Sequence, residues 1–153
     1  DGSAINAGSY TATITKAQIE EQNANYTLAA ESVTQEFTIS PATLTLTQTA
    51  GATLTRPYDG TTTEATSFLT KTYVTITGGV SGENIYGMLN AELTSGVEIK
   101  NAGRYVITVT FNAEAEGAGN YSVGDFTSLE IVYTVTVKTI TITFDGYEGL
   151  TYN

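Results

Sequence analysis

The 153-residue sequence predicts an all-β protein built of antiparallel β-sandwich modules in tandem. Three observations carry this expectation. Large apolar residues alternate with threonine through most regular segments, the pattern of strands with one buried and one wet face. Clusters of glycine, asparagine and aspartate separate those segments, where turns need positive φ. The motif Asn-Ala-Gly-x-Tyr occurs at Asn6–Tyr10 and again at Asn101–Tyr105, an offset of 95 residues.

The register of this repeat persists. Asn25-Tyr26 returns as Asn120-Tyr121, Phe37-Thr38-Ile39 as Tyr133-Thr134-Val135, and Thr43-Leu44-Thr45-Leu46-Thr47 as Thr139-Ile140-Thr141-Ile142-Thr143. A fixed self-similarity marks a tandem array. A period of 95 residues is close to the roughly 100 residues of an immunoglobulin-like sandwich. The chain is therefore expected to hold about one and a half modules, as a piece of a longer array. Export or anchoring signals would then lie outside it.

In order along the chain, Tyr10–Thr15 reads as a strand with Tyr10, Ala12 and Ile14 on one face and threonines on the other. Thr15–Asn23 has helix formers but no apolar stripe, so an exposed loop or a single turn is expected. Phe37–Ser40 closes the first piece. Pro41 lacks an amide proton and biases Ser40 to extended backbone, which makes Ser40-Pro41-Ala42 the natural joint. Asp59-Gly60 and Gly78-Gly79 read as turns, and Gly82–Ala91, with two glycines, as another loop or single turn. Tyr105–Phe111 alternates cleanly, with Tyr105, Ile107, Val109 and Phe111 on one face. Ile131–Phe144 contains neither glycine nor proline, so one strand is expected to leave the finished module and open the next. The predicted organisation is 1–42 as the later part of one repeat, 43–137 as a complete sandwich repeat, and 138–153 as the first strand of a following repeat.

Composition excludes several function classes. There is no cysteine or histidine, which removes thiol catalysis, disulfide scaffolds, structural zinc and histidine-dependent triads. Sixteen acids against six bases give a net charge of −10. Such a surface repels nucleic acid, which needs a basic stripe, and disfavours anionic lipid. No apolar run approaches the roughly 20 residues of a membrane span.

The residues Arg56-Pro57-Tyr58-Asp59-Gly60-Thr61-Thr62, Asn101–Tyr105 and Gly119-Asn120-Tyr121 resemble the YDG-type repeat of large bacterial surface proteins. Asn6–Tyr10, Asn25-Tyr26, Thr38–Leu44 and Tyr147–Asn153 resemble the related MBG-type repeats. The resemblance implies immunoglobulin-like sandwiches strung on secreted or wall-attached adhesin-like proteins. It implies no catalytic residues. Neither flanking piece is a whole module, a departure from the family pattern.

Candidate sites divide into turns and ligand loops. Asn-Ala-Gly-x-Tyr reads as a turn with its glycine at positive φ, followed by an inward tyrosine; the alternative is a ligand loop. Tyr58-Asp59-Gly60 reads as a turn in which Asp59 bonds local amides. Glu20-Glu21, Glu114/Glu116 and Asp145/Glu148 lack the spacing of a calcium loop, although Asp59, Asp145 and Glu148 could converge at a joint. Tyr10, Tyr26, Tyr105, Tyr121 and Tyr133 read as core, and Tyr86, Tyr147 and Tyr152 as exposed stacking candidates for a sugar. A self-made crosslink would need a buried lysine or glutamine, and Gln35-Glu36 is the nearest candidate.

The expectation is thus a non-enzymatic stalk repeat of an extracellular bacterial surface protein, with no catalytic, cofactor or metal residues. The alternative is a glycan- or protein-binding module with a loop-end site. Expected partners are neighbouring repeats, or other copies joined head-to-tail by strand addition through apolar positions such as Ile14, Leu28, Ile140, Ile142 and Phe144. No nucleic acid and no membrane insertion of this segment are expected.

Overall fold

The structure, a computed structural model, describes residues 5–94, 98–143 and 146. Strands predominate. They are β1 (Gly8–Thr15), β2 (Ser32–Ile39), β3 (Ala42–Thr43), β4 (Thr45–Gln48), β5 (Thr55–Pro57), β6 (Val74–Thr77), β7 (Leu89–Leu93), β8 (Gly103–Phe111), β9 (Tyr121–Ser122) and β10 (Leu129–Thr136). A seven-residue helix, α1 (Lys16–Gln22), and three short 3-10 turns complete the regular elements among the described residues.

One sheet has the order β5-β10-β8-β7, while β4–β6, β3–β9 and β1–β2 form three two-stranded sheets. Pairing is antiparallel except for β10–β5 and β3–β9, which are parallel. This corrects the expectation of wholly antiparallel pairing. Parallel neighbours need long connections, and both pairs join segments far apart in the chain. Pro57 is tolerated in the short edge strand β5 because its missing amide falls on the side away from β10, and the next amide, Tyr58 N–H, still donates to the Thr136 carbonyl at 2.8 Å.

The alternation read from the sequence sets the core. Tyr105, Ile107 and Val109 of β8 and Ile131, Tyr133 and Val135 of β10 are all buried. Leu44 and Leu46, at 2 % and 6 % exposure, join the same cluster with Phe68, Val74, Ile85, Met88, Leu89, Ile99, Ala118 and Tyr121. The ring of Phe68 meets the edge of Tyr133 at 5.0 Å. Among the described residues every buried one falls between Leu44 and Val135.

The β1–β2 hairpin contributes nothing to that core, yet it copies its central pair. Tyr10 faces Phe37, Ala12 faces Gln35 and Ile14 faces Val33. In β8–β10, Tyr105 faces Tyr133, Ile107 faces Ile131 and Val109 faces Leu129. With offsets of 95 on one strand and 96 on the other, the register is identical. The Asn-Ala-Gly-x-Tyr repeat therefore extends into three dimensions as a repeated strand pair.

Three local readings are corrected. Thr15–Asn23 is not a loop or single turn but contains two-turn α1. Thr15 caps it, with Thr15 Oγ1 accepting from Gln18 N–H at 3.3 Å and Thr15 N–H donating to Gln18 Oε1 at 2.8 Å. This reciprocal box satisfies amides that an apolar stripe cannot. Gly82–Ala91 does contain a single turn, at Ile85–Met88, but β7 begins directly at Leu89. The strand expected to run through Ile131–Phe144 stops at Thr136. Residues 137–143 have no sheet partner among the described residues and are exposed, and Phe144 lies outside the described residues.

Candidate functional site

The repeated motif builds two corners of the same make. Tyr105 is buried, and its hydroxyl donates to the Asn101 carbonyl at 2.8 Å. Tyr10 does the same to Asn6, also at 2.8 Å. Each tyrosine thus closes its own turn and leads into a strand. Gly103 opens β8 without a positive φ, whereas Gly8 has a positive φ of 155°. The expected positive-φ glycine is therefore wrong for Gly103. There the tyrosine hydroxyl, rather than glycine's backbone freedom, holds the corner.

The first copy of the motif docks on Asn120. Ala7 N–H donates to Asn120 Oδ1 at 2.8 Å, and Asn120 Nδ2 donates to Asn6 Oδ1 at 3.0 Å. Asn120 belongs to the repeated Asn-Tyr pair, so two repeat signatures touch. The corner sits beside shallow, open depressions bordered by Glu83, Glu116 and Gly117. Asn120 was legible only as a turn residue, and its contact with Asn6 depends on how the hairpin lies against the rest of the chain.

The Tyr58-Asp59-Gly60 turn is fastened by Arg56. Asp59 Oδ1 accepts from the Thr61 amide at 2.9 Å, from the Thr61 hydroxyl at 2.7 Å and from Arg56 Nη1. Arg56 Nη2 donates to the carbonyls of Thr61 at 2.8 Å and Ile99 at 3.3 Å. The Thr61 hydroxyl, then its amide, and the Arg56 charge hold the Asp59 carboxyl below the usual aspartate value. These bonds use the carboxylate for structure. Arg56 had no assigned role in the sequence, although its place three residues before Asp59 across a turn is the signal that could have found it.

The tyrosines divide differently from the sequence reading. Tyr105, Tyr121 and Tyr133 are buried, Tyr10 is half-buried, and Tyr26 is 67 % exposed. Tyr26 fails as a core residue because no segment among the described residues covers it. Tyr86, expected to be exposed, is half-buried, and its hydroxyl donates to the Val74 carbonyl at 2.7 Å. Tyr147 and Tyr152 lie outside the described residues. Burial pushes the hydroxyls of Tyr86, Tyr121 and Tyr133 above their usual value.

The acidic candidates stay apart. No group of three or more acidic side chains converges on a possible ion among the described residues, which exclude Asp145 and Glu148. Glu20 accepts from the Thr27 hydroxyl at 2.6 Å. No polar or charged residue is buried among the described residues, so Lys16, Lys71, Lys100 and Lys138 lack the desolvation that a crosslink requires. Gln35 is exposed, and its amide donates to the Glu36 carbonyl at 2.8 Å. No helix is long and apolar enough to cross a membrane among the described residues.

No family model matches the chain, and no curated protein or solved structure matches it either.

Proposed function

We propose that this chain is a non-enzymatic structural segment of an extracellular bacterial surface protein, in which immunoglobulin-like sandwich modules repeat as a stalk or adhesive array. The observation that carries the reading is the repeated strand pair, β1–β2 and β8–β10, in identical register. A chain that makes the same unit twice is suited to length and stiffness rather than to a single reaction centre. The restriction of the buried residues to Leu44–Val135 supports a module of 43–137 flanked by parts of two others. The two side chains with the most hydrogen bonds among the described residues, Asp59 and Arg56, use them to tie a turn. Lack of cysteine and an acidic, threonine-rich surface suit an exposed, oxidising environment.

Force applied between the two ends of the chain tests this reading. One cooperative rupture is expected, releasing roughly 300 Å as residues 44–135 extend, with the hairpin giving way earlier at low force. Gradual lengthening without a rupture would overturn it. So would tight, saturable binding of a soluble glycan that Tyr58 or Asp59 substitutions abolish.

A further inference from the structure

The β1–β2 hairpin presents an apolar face that nothing covers among the described residues. Ile14 is 52 % exposed, Val33 56 % and Phe37 44 %, with the Tyr10 and Phe37 rings stacked at 5.6 Å. Of the two positions expected to be bare at this end, Ile14 is exposed, whereas Leu28 is half-buried. The opposite face carries Ser9, Thr11, Thr13, Thr34, Glu36 and Thr38 and is suited to water.

The other copy of the pair shows what belongs on that face. Beside β8–β10, the segment Ala42–Gln48 closes the core with Leu44 and Leu46. Ala42 and Thr43 pair in parallel with Tyr121 and Ser122, and Leu44 N–H donates to the Ser122 carbonyl at 2.7 Å. Tyr121 is 6 % exposed as a result, against 67 % for its counterpart Tyr26. The counterpart of the covering segment is Lys138-Thr139-Ile140-Thr141-Ile142-Thr143. It has no sheet partner among the described residues, and Ile140 and Ile142 are 74 % and 70 % exposed.

We infer that residues 138–143 of one copy complete the β1–β2 unit of a second copy. Lys138 and Thr139 pair in parallel with Tyr26 and Thr27, and Ile140 donates its amide to the Thr27 carbonyl. Ile140 and Ile142 lie over Ile14, Val33 and Phe37. Two incompatible-looking features, a bare face and an unpaired strand, become complementary halves of one unit. The contact is head-to-tail, because donor and acceptor are different surfaces, and so it propagates rather than closing. Two centre positions are less apolar than in the covered copy, Ala12 for Ile107 and Gln35 for Ile131, which makes this packing weaker than that of Ala42–Gln48 on β8–β10. The inference rests on the repeat reading of the proposed function.

Sedimentation equilibrium of the full chain over a concentration series tests it, at moderate salt to screen the net charge of −10. The expected result is a mass that rises with concentration without a plateau, and slower amide exchange in 138–143 at high concentration. Ile140→Glu with Ile142→Glu lies in an exposed, unpaired segment and leaves the fold intact; it should weaken association at least about tenfold. Mixing that variant, whose hairpin is intact, with Val33→Glu, whose donor is intact, should give a species that stops at two copies. Gln35→Ile should strengthen association. A strict monomer at millimolar concentration overturns the inference, and so does association that the Ile140/Ile142 substitutions leave unchanged. A monomer that still ruptures cooperatively under force would sink this inference alone. An associating chain that lengthens gradually would sink the functional reading instead.

Discussion

Tyr10 and Tyr105 hold the same place in two copies of one corner, each donating its hydroxyl to the asparagine carbonyl four residues earlier at 2.8 Å. Their surroundings differ, because Tyr105 is buried in the core and Tyr10 lies on the bare hairpin. The pair therefore separates the value of the hydrogen bond from that of the burial around it.

Tyr105→Phe keeps the ring and removes the bond, leaving the Asn101 carbonyl to find water at a partly buried corner. The expected cost is about 1 kcal/mol. Tyr10→Phe should change the midpoint of the main unfolding transition by less than about 0.5 kcal/mol. Urea denaturation of both variants checks this, and equal losses would show that the two corners are energetically alike.

Glycine substitutions should follow the observed backbone rather than the motif. Gly78 has φ 87°, and a Cβ there would lie 2.0 Å from the Thr43 carbonyl oxygen, a backbone atom that cannot move aside cheaply. Gly78→Ala should cost about 2–4 kcal/mol. At Gly103 a Cβ meets nothing nearer than the Tyr105 ring at 3.8 Å. Gly103→Val should stay within about 0.5 kcal/mol of wild type. Thermal or urea midpoints decide, and a severe Gly103→Val would mean that the corner needs more than its tyrosine.

Faces were legible in the sequence and partners were not. Period-two alternation placed Tyr105, Ile107, Val109, Ile131, Tyr133 and Val135 on inward faces because side-chain direction along a strand is local geometry. It could not place β5 beside β10 or β3 beside β9, since those parallel contacts depend on where distant segments travel. The same limit explains Tyr26. Its repeat counterpart Tyr121 is core only because Ala42–Leu44 covers it, and an identical Asn-Tyr dipeptide without that neighbour stays in water. At Asp59 the chemistry is local, so the turn was readable, while the second carbonyl reached by Arg56, that of Ile99, was not.

Acid should loosen the Arg56–Asp59 turn. Asp59 has a folded-state pKa below the ordinary 3.8, so the folded state binds its proton more weakly than the unfolded chain. The contribution is present above pH 3.8 and is lost as pH falls through the lower folded value. Asp59→Asn can still accept from Thr61 but carries no charge for Arg56. The stability gap between wild type and Asp59→Asn should be open at pH 7 and close below pH 3.8. A gap that is constant with pH would show that Asp59 gains nothing from its charge.

Alkali should act in the opposite sense through tyrosine. Tyr86, Tyr121 and Tyr133 have pKa values raised above 10.0, chiefly by burial, so folding favours their neutral form. That stability is complete below pH 10.0 and drains away as pH rises toward the folded values. Phenolate absorbance during alkaline titration should show a late group of tyrosines that ionises together with unfolding. Simple titration of all ten tyrosines at the ordinary value, with the fold intact, would contradict the burial of these three.

Tyr121 offers the sharpest local test. Its hydroxyl accepts from the Val80 amide at 3.0 Å and donates to Glu83 Oε2 at 2.7 Å, so one oxygen ties both ends of the loop after Gly78. The ring fills the core below, and Phe can replace the ring but not the oxygen. Tyr121→Phe should therefore cost about 1 kcal/mol overall, while freeing the loop locally. Glu83→Gln still accepts from the tyrosine hydroxyl and should be close to neutral. Amide exchange at Val80 separates these effects: it should accelerate in Tyr121→Phe and remain slow in Glu83→Gln. Equal exchange in both variants would mean that the loop is held by Gly78 and the Ile85–Met88 turn, with the tyrosine hydroxyl a bystander.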